Sequence, residues 1–560
     1  MKGLNMKTIK TVDSNTICFP ADRNETSKNR FLINPSFLAT VISVVFLSGC
    51  STSSTAKDLV QSREGVESKP NVLLITVDGL GNADISARGA PFKTPNIDKL
   101  VSSGVILNRF YGASQSSGTL AALMTARDPH ELGVSYAEFY PWSPGALAPS
   151  EFLLSESLKS AGYQTALVGK WHLGSQAQRH HPNSRGFDYF FGHLNGQVDY
   201  FKHTSARGID LQENGRSLGN AYDNVFGPDL ISAASENWLN QLSSKNSAPF
   251  FLQVSFKAPR APLQAPEKRV KKVQAESPKL SRERMIYAAM VKAVDEGVGQ
   301  IISTLDSQKK LENTLIVFLS TSGADLNNGA SNGVLKGGKL SGYEGGVRNL
   351  AIISGLGLPR GVSSEQVISA VDLYPTINEA TGTRNGAPEM KAKLQDGVSL
   401  WASLSQGNVT PHSEIYIAAD GEKGIGNDFN FSIIKDDYKV VRHVTRSYQG
   451  IEIKNELFYL ASDPGETRDL SQEQPKVLES LLSGFVDWRK KHMWTGNHYE
   501  PVPIPGWVAP TDWALRMQQR EKTVSGEFGD NVFGFIGGNS LTSLDRMIYK
   551  KTEMGTIIYE

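Results

Sequence analysis

Cysteine is nearly missing from this chain of 560 residues: there are two, Cys18 and Cys50, and nothing after residue 50 carries a thiol. That excludes a disulfide framework, a thiolate zinc site and a cysteine nucleophile from the body of the protein. A surplus of charge is missing too. Lys and Arg number 58 against 57 Asp and Glu, a formal net charge of +1, so no electrostatic footprint points to a nucleic-acid partner. The apolar stretch from Phe37 to Leu47 falls short of the ~20 residues that a membrane span needs. What is present is a globular composition, 39% hydrophobic and 21% charged, which argues against a disordered chain.

The first fifty residues read as an address. Lys28 and Arg30 precede Phe37 to Leu47, and the stretch closes on Leu47-Ser48-Gly49-Cys50. A basic region, a short apolar region and small residues before a cleavage point mark a secretory signal. The ending resembles a bacterial lipobox. That resemblance implies an exported protein, lipidated at Cys50 and anchored to a membrane by that lipid, at the outer membrane or the periplasmic face. Ser51, where an Asp would retain a lipoprotein, is similar to lipoproteins of the outer membrane. Residues 51–69, rich in Ser, Thr and charge, read as a flexible tether.

Beyond the tether, apolar runs alternate with helical patterns. Asn71 to Val77, Thr165 to Val168, Phe250 to Phe256 and Thr314 to Ser320 are near-continuous apolar runs, as in strands buried on both faces. Between them lie helical patterns at Asn96 to Ser103, Pro149 to Ala161 and Arg284 to Gln308. This alternation predicts an α/β domain over 70–405, with a large, mostly parallel sheet flanked by helices. Sites in such sheets form at the carboxyl ends of the strands. Asp78 and the segments after Val168, Phe256 and Ser320 are therefore expected around one pocket. Residues 406–491 read as a smaller α+β subdomain. Its strands are expected at Glu414 to Ala418, Phe429 to Ile434 and Tyr438 to His443, and its helix at Gln474 to Lys491. Residues 492–560, with Trp494, Trp507 and Trp513, form an extension of unassigned role.

Several segments then fall into a known order. They are Thr94-Pro-Asn-Ile-Asp-Lys-Leu100, Gly169-Lys-Trp-His-Leu-Gly174, and Arg185-Gly-Phe-Asp-Tyr189 with Gly192-His193 and Asp199-Tyr-Phe201. Ala258-Pro-Arg-Ala-Pro-Leu-Gln-Ala-Pro266, Leu335 to Arg348 and Leu457 to Glu466 follow. Over about residues 70–490 the chain resembles the sulfatase family of the alkaline-phosphatase superfamily, of the polysaccharide and arylsulfatase type. The resemblance implies an alkaline-phosphatase-like fold and sulfuric ester chemistry on sulfated glycans. It also implies that Lys170, His172 and Lys339 bind sulfate oxygens or protonate and orient a leaving group.

The chain departs from the family at the chemistry. Counting back from Ala121-Ala-Leu-Met-Thr-Ala-Arg127, the formylglycine position is Ser116, with Gly118 in place of the family's proline and Leu120 in place of its arginine. Conversion of Ser116 is therefore not expected, and as a plain serine it would need an activating base or metal. The family's paired metal-binding Asp residues read Asp78-Gly79, and its Asp-Asn pair reads Thr321-Ser322. Calcium wants six to eight oxygens with carboxylate charge among them, so Asp78 is expected to be a remnant. Calcium would return only if Asp325, Asn327 or Asn328 rebuilt the site, and no cofactor is expected. Arg260 replaces a family histidine. Summed over Asp78, Lys170, Arg260 and Lys339, the pocket stays positive, and a guanidinium suits bidentate contact with sulfate oxygens.

The reading that follows is a lipid-anchored, sulfatase-like protein that recognises sulfated polysaccharide without formylglycine-dependent hydrolysis. In it Lys170, His172, Arg260 and Lys339 hold substrate. One alternative is an active hydrolase with altered machinery, using Ser116 or a water with His172 as general acid. Another is a structural partner of a sulfatase or glycan-uptake system.

Overall fold

The structure is a computed structural model that describes residues 69–136, 138–143, 145–242, 248–383, 396–406, 414–420, 428–492, 503 and 505–518. Cys18, Cys50, the leader, the tether as far as residue 68 and Trp494 lie outside the described residues. Among those described, no helix is long and apolar enough to cross a membrane.

The main sheet has ten strands. They are β1 (Asn71–Asp78), β2 (Gly104–Tyr111), β3 (Gln164–Lys170), β4 (Tyr189–His193), β5 (Gln212–Glu213), β6 (Arg216–Ser217), β7 (Phe250–Pro259), β8 (Thr314–Ser320), β9 (Ala351–Ser354) and β10 (Val362–Ser369). Their order is β10-β2-β9-β8-β1-β7-β3-β4-β5-β6. The contiguous run β8-β1-β7-β3-β4 is parallel throughout. β9 enters antiparallel to both its neighbours, and β10 rejoins β2 in parallel. The sheet is thus mixed, with a parallel centre, as the apolar runs predict.

The physical cause is two-sided burial. Every residue of β1 is buried. Alternate residues Val72, Leu74, Leu167, Phe251, Leu315 and Val317 face one core cluster, which the helix Ser116–Thr125 enters with Leu120, Leu123 and Met124. The long helix Arg282–Ser307 ties down the helix Pro95–Ser103: Asp295 Oδ1 accepts from the backbone N–H of Asn96 at 2.9 Å and of Ile97 at 2.8 Å. A carboxylate at these otherwise unpaired N–H groups suits both their hydrogen-bonding need and the helix dipole.

One helix is shorter than its sequence pattern. The stretch expected from Pro149 is helical only over Leu154–Ser160. The reason is local: Glu156 reaches back to accept from the Leu153 N–H at 2.6 Å, fixing the helix start there.

The smaller unit is a four-stranded antiparallel sheet, β11 (Glu414–Asp420), β12 (Asp428–Lys435), β13 (Tyr438–Ser447) and β14 (Gly450–Tyr459), covered by the helix Pro475–Lys491. Strand β14 is one more than the sequence pattern gives. Its first half alternates exposed and half-buried residues at the sheet edge, so it lacks the apolar run that marks its neighbours. A buried ion cluster joins this sheet to the main domain. Lys439, wholly buried, meets Glu344 at 2.8 Å and Glu466 at 3.0 Å. Part of the C-terminal extension belongs to the main core as well: Trp513 is fully buried, and its indole N–H donates to the Ser205 carbonyl at 3.0 Å.

Candidate functional site

The parallel centre of the sheet delivers its side chains to one place. Asp78 ends β1, Lys170 ends β3, Arg260 follows β7 and Thr321 follows β8. Lys170 Nζ donates to Asp78 Oδ2 at 2.6 Å and to Ser116 Oγ at 2.8 Å. Arg260 Nη1 reaches the same Asp78 oxygen at 3.1 Å. Ser322 Oγ donates to Asp78 Oδ1 at 3.3 Å, and Ser116 and Thr321 share a hydroxyl contact of 2.9 Å. Asp78, Ser116, Lys170, His172, Thr321 and Ser322 are all buried. The residues expected around one pocket therefore converge.

A residue that the sequence argument did not single out completes the cluster. Glu138, on the loop between the helices Ser116–Thr125 and Leu154–Ser160, takes both arms of the Arg260 guanidinium, at 3.0 and 2.6 Å. Lys339 Nζ adds a third contact at 3.1 Å, and His172 Nε2 stands 4.0 Å away. The charge balance drawn from Asp78, Lys170, Arg260 and Lys339 is corrected by this carboxylate, which takes one positive charge out of the cluster. A signal was present in the sequence. Glu138 is a lone acid inside the apolar, aromatic stretch Val134 to Trp142, where a buried carboxylate needs a cationic partner.

The electrostatics are those of a closed cluster. Burial alone would raise the Asp78 carboxyl, but Lys170, Arg260 and Lys339 outweigh it and hold it well below the usual range. Glu138 behaves likewise: burial is outweighed by Arg260 and Lys339. Burial pushes the Lys170 amine down to about 8 despite the pull of Asp78. His172 is driven well below its usual value by burial and by Lys170, so its ring is neutral near pH 7. Its Nδ1 has no hydrogen-bond partner among the described residues, and its backbone sits at φ 58. The left-handed region is uncommon for a residue with a side chain, though histidine is among those that enter it more readily.

The positions that differ from the family pattern have structural reasons for staying as they are. Gly118 lies in the first turn of the helix Ser116–Thr125, where a Cβ would stand 2.6 Å from the Ala113 methyl. Leu120 is buried in the main core.

The donor set does not fit a calcium ion. Asp78 is the one carboxylate of the expected ligand positions, and two cationic side chains bond its Oδ2. Of the remaining positions, Thr321 and Ser322 offer neutral hydroxyls and Gly79 offers no side chain. Asp325 caps its own turn, accepting from the Asn327 N–H at 3.2 Å and the Asn328 amide at 2.5 Å. An ammonium, Lys170, stands against Asp78 where a cation is needed.

A void of about 20 Å³ adjoins Lys170, Tyr200 and Lys257, room for one water. A larger cavity, of about 480 Å³, lies elsewhere, between the main and small sheets, lined by Tyr111, Ser369, Asp396, Tyr416, Trp488 and His492. At its edge His492 Nδ1 pairs with Glu131 at 2.9 Å. Glu131 is also paired with Arg127, so this second acid–histidine group is internally compensated.

The sulfatase family model matches residues 70–383. The chain belongs to the sulfatase family. It is 30% identical over 456 residues to N-acetylgalactosamine-6-sulfatase of Canis lupus familiaris, an alignment covering 74% of this chain and 84% of the canine protein. It is 29% identical over 354 residues to arylsulfatase J of Mus musculus, spanning 62% of this chain and 58% of that protein. Among solved structures it resembles Ps i-CgsB in complex with k-i-k-neocarrahexaose, at a TM-score of 0.67 and 29% identity, covering 82% of this chain and 100% of that one.

Proposed function

We propose that this protein recognises sulfated polysaccharide and does not perform formylglycine-dependent hydrolysis. The observation that carries the reading is the state of Ser116. Its hydroxyl is buried and bonded at once to Lys170 Nζ at 2.8 Å and to Thr321 at 2.9 Å. The Lys170 amine, lowered by burial to about 8 despite Asp78 at 2.6 Å, is mostly protonated near pH 7 and there donates to Ser116 rather than taking its proton. The altered-hydrolase reading needs His172 to give up a proton, and a neutral imidazole has none to spare for a leaving group. The structural-partner reading predicts an apolar pocket. Lys170 and Arg260, at the strand ends, and Lys339, on the loop that follows β8, instead bring three basic side chains together.

The names of the relatives support the ligand class: an N-acetylgalactosamine-6-sulfatase, and a protein in complex with k-i-k-neocarrahexaose. Export and anchoring through a lipidated Cys50, at the outer membrane or the periplasmic face, belong to the same proposal and would set the protein where polysaccharides arrive. A panel of sulfated and desulfated glycans, with released sulfate assayed alongside, tests it. Equal affinity for both forms would end the anion-recognition reading, and sulfate release dependent on Ser116 or His172 would return the protein to the hydrolases.

A further inference from the structure

We propose that Glu138 is a built-in substitute for the ligand: its carboxylate fills the place of a glycan sulfate group, and the pocket accepts ligand by exchanging that carboxylate. This deepens the reading of the pocket as a sulfate-recognising site and rests on it.

The geometry of the Glu138 contacts is that of oxyanion recognition. Arg260 offers its two arms in parallel, at 3.0 Å to Oε1 and 2.6 Å to Oε2, and Lys339 closes on Oε1 at 3.1 Å. This fork would hold two oxygens of a sulfate ester in the same way. The third side is His172, whose Nε2 is 4.0 Å from Oε2. That gap is too long for a hydrogen bond. A tetrahedral group presents one oxygen more than a carboxylate and could use that side.

Charge makes the exchange possible. A sulfate ester and a carboxylate each carry one negative charge, so replacing one by the other leaves the net charge of the cluster unchanged. An empty pocket would be one charge more positive, and Arg260 and Lys339 would lose their shared partner. Asp78 does not fill that role, because its Oδ2 already serves Lys170 and Arg260.

Access follows the same line. The side chains of Asp78, Lys170, His172 and Glu138 are no more than 2% exposed, whereas Arg260 and Lys339 keep 12% and 14%. The cluster opens to solvent on the side of the two residues that hold Glu138. Glu138 belongs to no strand or helix, so its withdrawal breaks no sheet ladder. The loop is anchored on either side of Glu138, by the Gln115 amide, which donates to the Tyr136 carbonyl at 3.2 Å, and by Phe139, whose ring is buried in the main core and whose N–H donates to Ser117 Oγ at 3.4 Å, so the exchange is a movement of the Glu138 side chain between these anchors.

An internal anion of this kind lowers apparent affinity by the fraction of time it occupies the site, and its removal restores the intrinsic value. The test is calorimetric titration of wild type, Glu138→Gln, Glu138→Ala and Arg260→Ala with inorganic sulfate and with a sulfated neocarrahexaose. Both Glu138 variants should bind at least tenfold more tightly than wild type, and Arg260→Ala should bind more weakly. In the unmutated protein, saturating oligosaccharide should raise amide hydrogen exchange over residues 138–143, a readout that does not depend on a variant folding. If wild type and the Glu138 variants bind alike while Arg260→Ala loses binding, the exchange is wrong and the pocket reading stands. If no form binds sulfate, both are wrong. Unchanged exchange in the ligand-bound wild type also overturns the proposal.

Discussion

Lys170 and Asp78 meet across 2.6 Å with both side chains almost wholly buried. One ammonium from the end of β3 thereby neutralises the carboxylate at the end of β1, in a family member whose other expected metal-ligand positions carry no charge. The same ammonium reaches Ser116, so a single side chain links the expected metal position to the expected nucleophile position.

The pairing predicts indifference to calcium. A ligand at a hundredfold its Kd stabilises a folded protein by about 2.7 kcal/mol. Added calcium should leave the Tm unchanged, and a chelator should not lower it. A clear upward shift with calcium, measured by scanning calorimetry, would show that carboxylates outside this cluster supply a site.

Maturation should fail at Ser116. Gly118 and Leu120 stand where the family pattern has its proline and arginine, and the Gly118 backbone has no room for a side chain. Mass spectrometry of the peptide containing Ser116 should show unmodified serine even after co-expression with a formylglycine-generating enzyme. An aldehyde at that residue would overturn the proposed function.

Removing the Asp78 carboxylate should be costly, because Lys170 would be left as an uncompensated buried charge, while Arg260 keeps its pairing with Glu138. Breaking a buried pair from one side typically costs about 3–5 kcal/mol. Asp78→Ala should lose stability of that order in denaturant unfolding. Acid should act in the same direction. The Asp78 and Glu138 carboxyls lie below their unfolded values, so their stabilisation is full above the unfolded range of ~4. It is lost as pH falls through the folded values. Wild type should lose stability steeply in acid, and Asp78→Asn, if folded, should show a shallower slope.

Arg260 should be the most sensitive binding residue. Hydrogen bonds to charged groups contribute about 1.5–3 kcal/mol each, so Arg260→Ala should weaken sulfated-glycan binding by roughly tenfold or more. Arg260→Lys should not restore it, since an ammonium lacks the two-armed fork. His172→Ala should weaken binding less than Arg260→Ala does, since it removes one neutral contact on the third side of the pocket. A glycan array read with all three variants distinguishes these outcomes.

Trp513 gives a separate test of the extension. It is fully buried in the main core, and truncating a buried Trp typically costs about 3–5 kcal/mol. Trp513→Ala should lower the Tm of the whole domain. An unchanged Tm would show that this segment contributes nothing to folding.

The sequence by itself determined the fold and the place of the site. Two-sided burial demands continuous apolar runs, so β1, β3, β7 and β8 were visible as such, and the strand ends named Asp78, the Lys170 segment, Arg260 and Thr321 together. It determined equally what the nucleophile and metal positions lack, because an absent carboxylate or arginine is absent in any conformation. Strand β14 was hidden because an edge strand can be half polar and carries no comparable run. Glu138 was hidden for a different reason. Its partners Arg260 and Lys339 lie 122 and 201 residues away along the chain, and no local pattern encodes a contact made by three loops meeting over a sheet. The sequence lists the charges; only the tertiary structure decided which were free to meet a ligand and which had already met one another. Pairing is a matter of distances of about 3 Å, and those exist only once the sheet has brought its strand ends together.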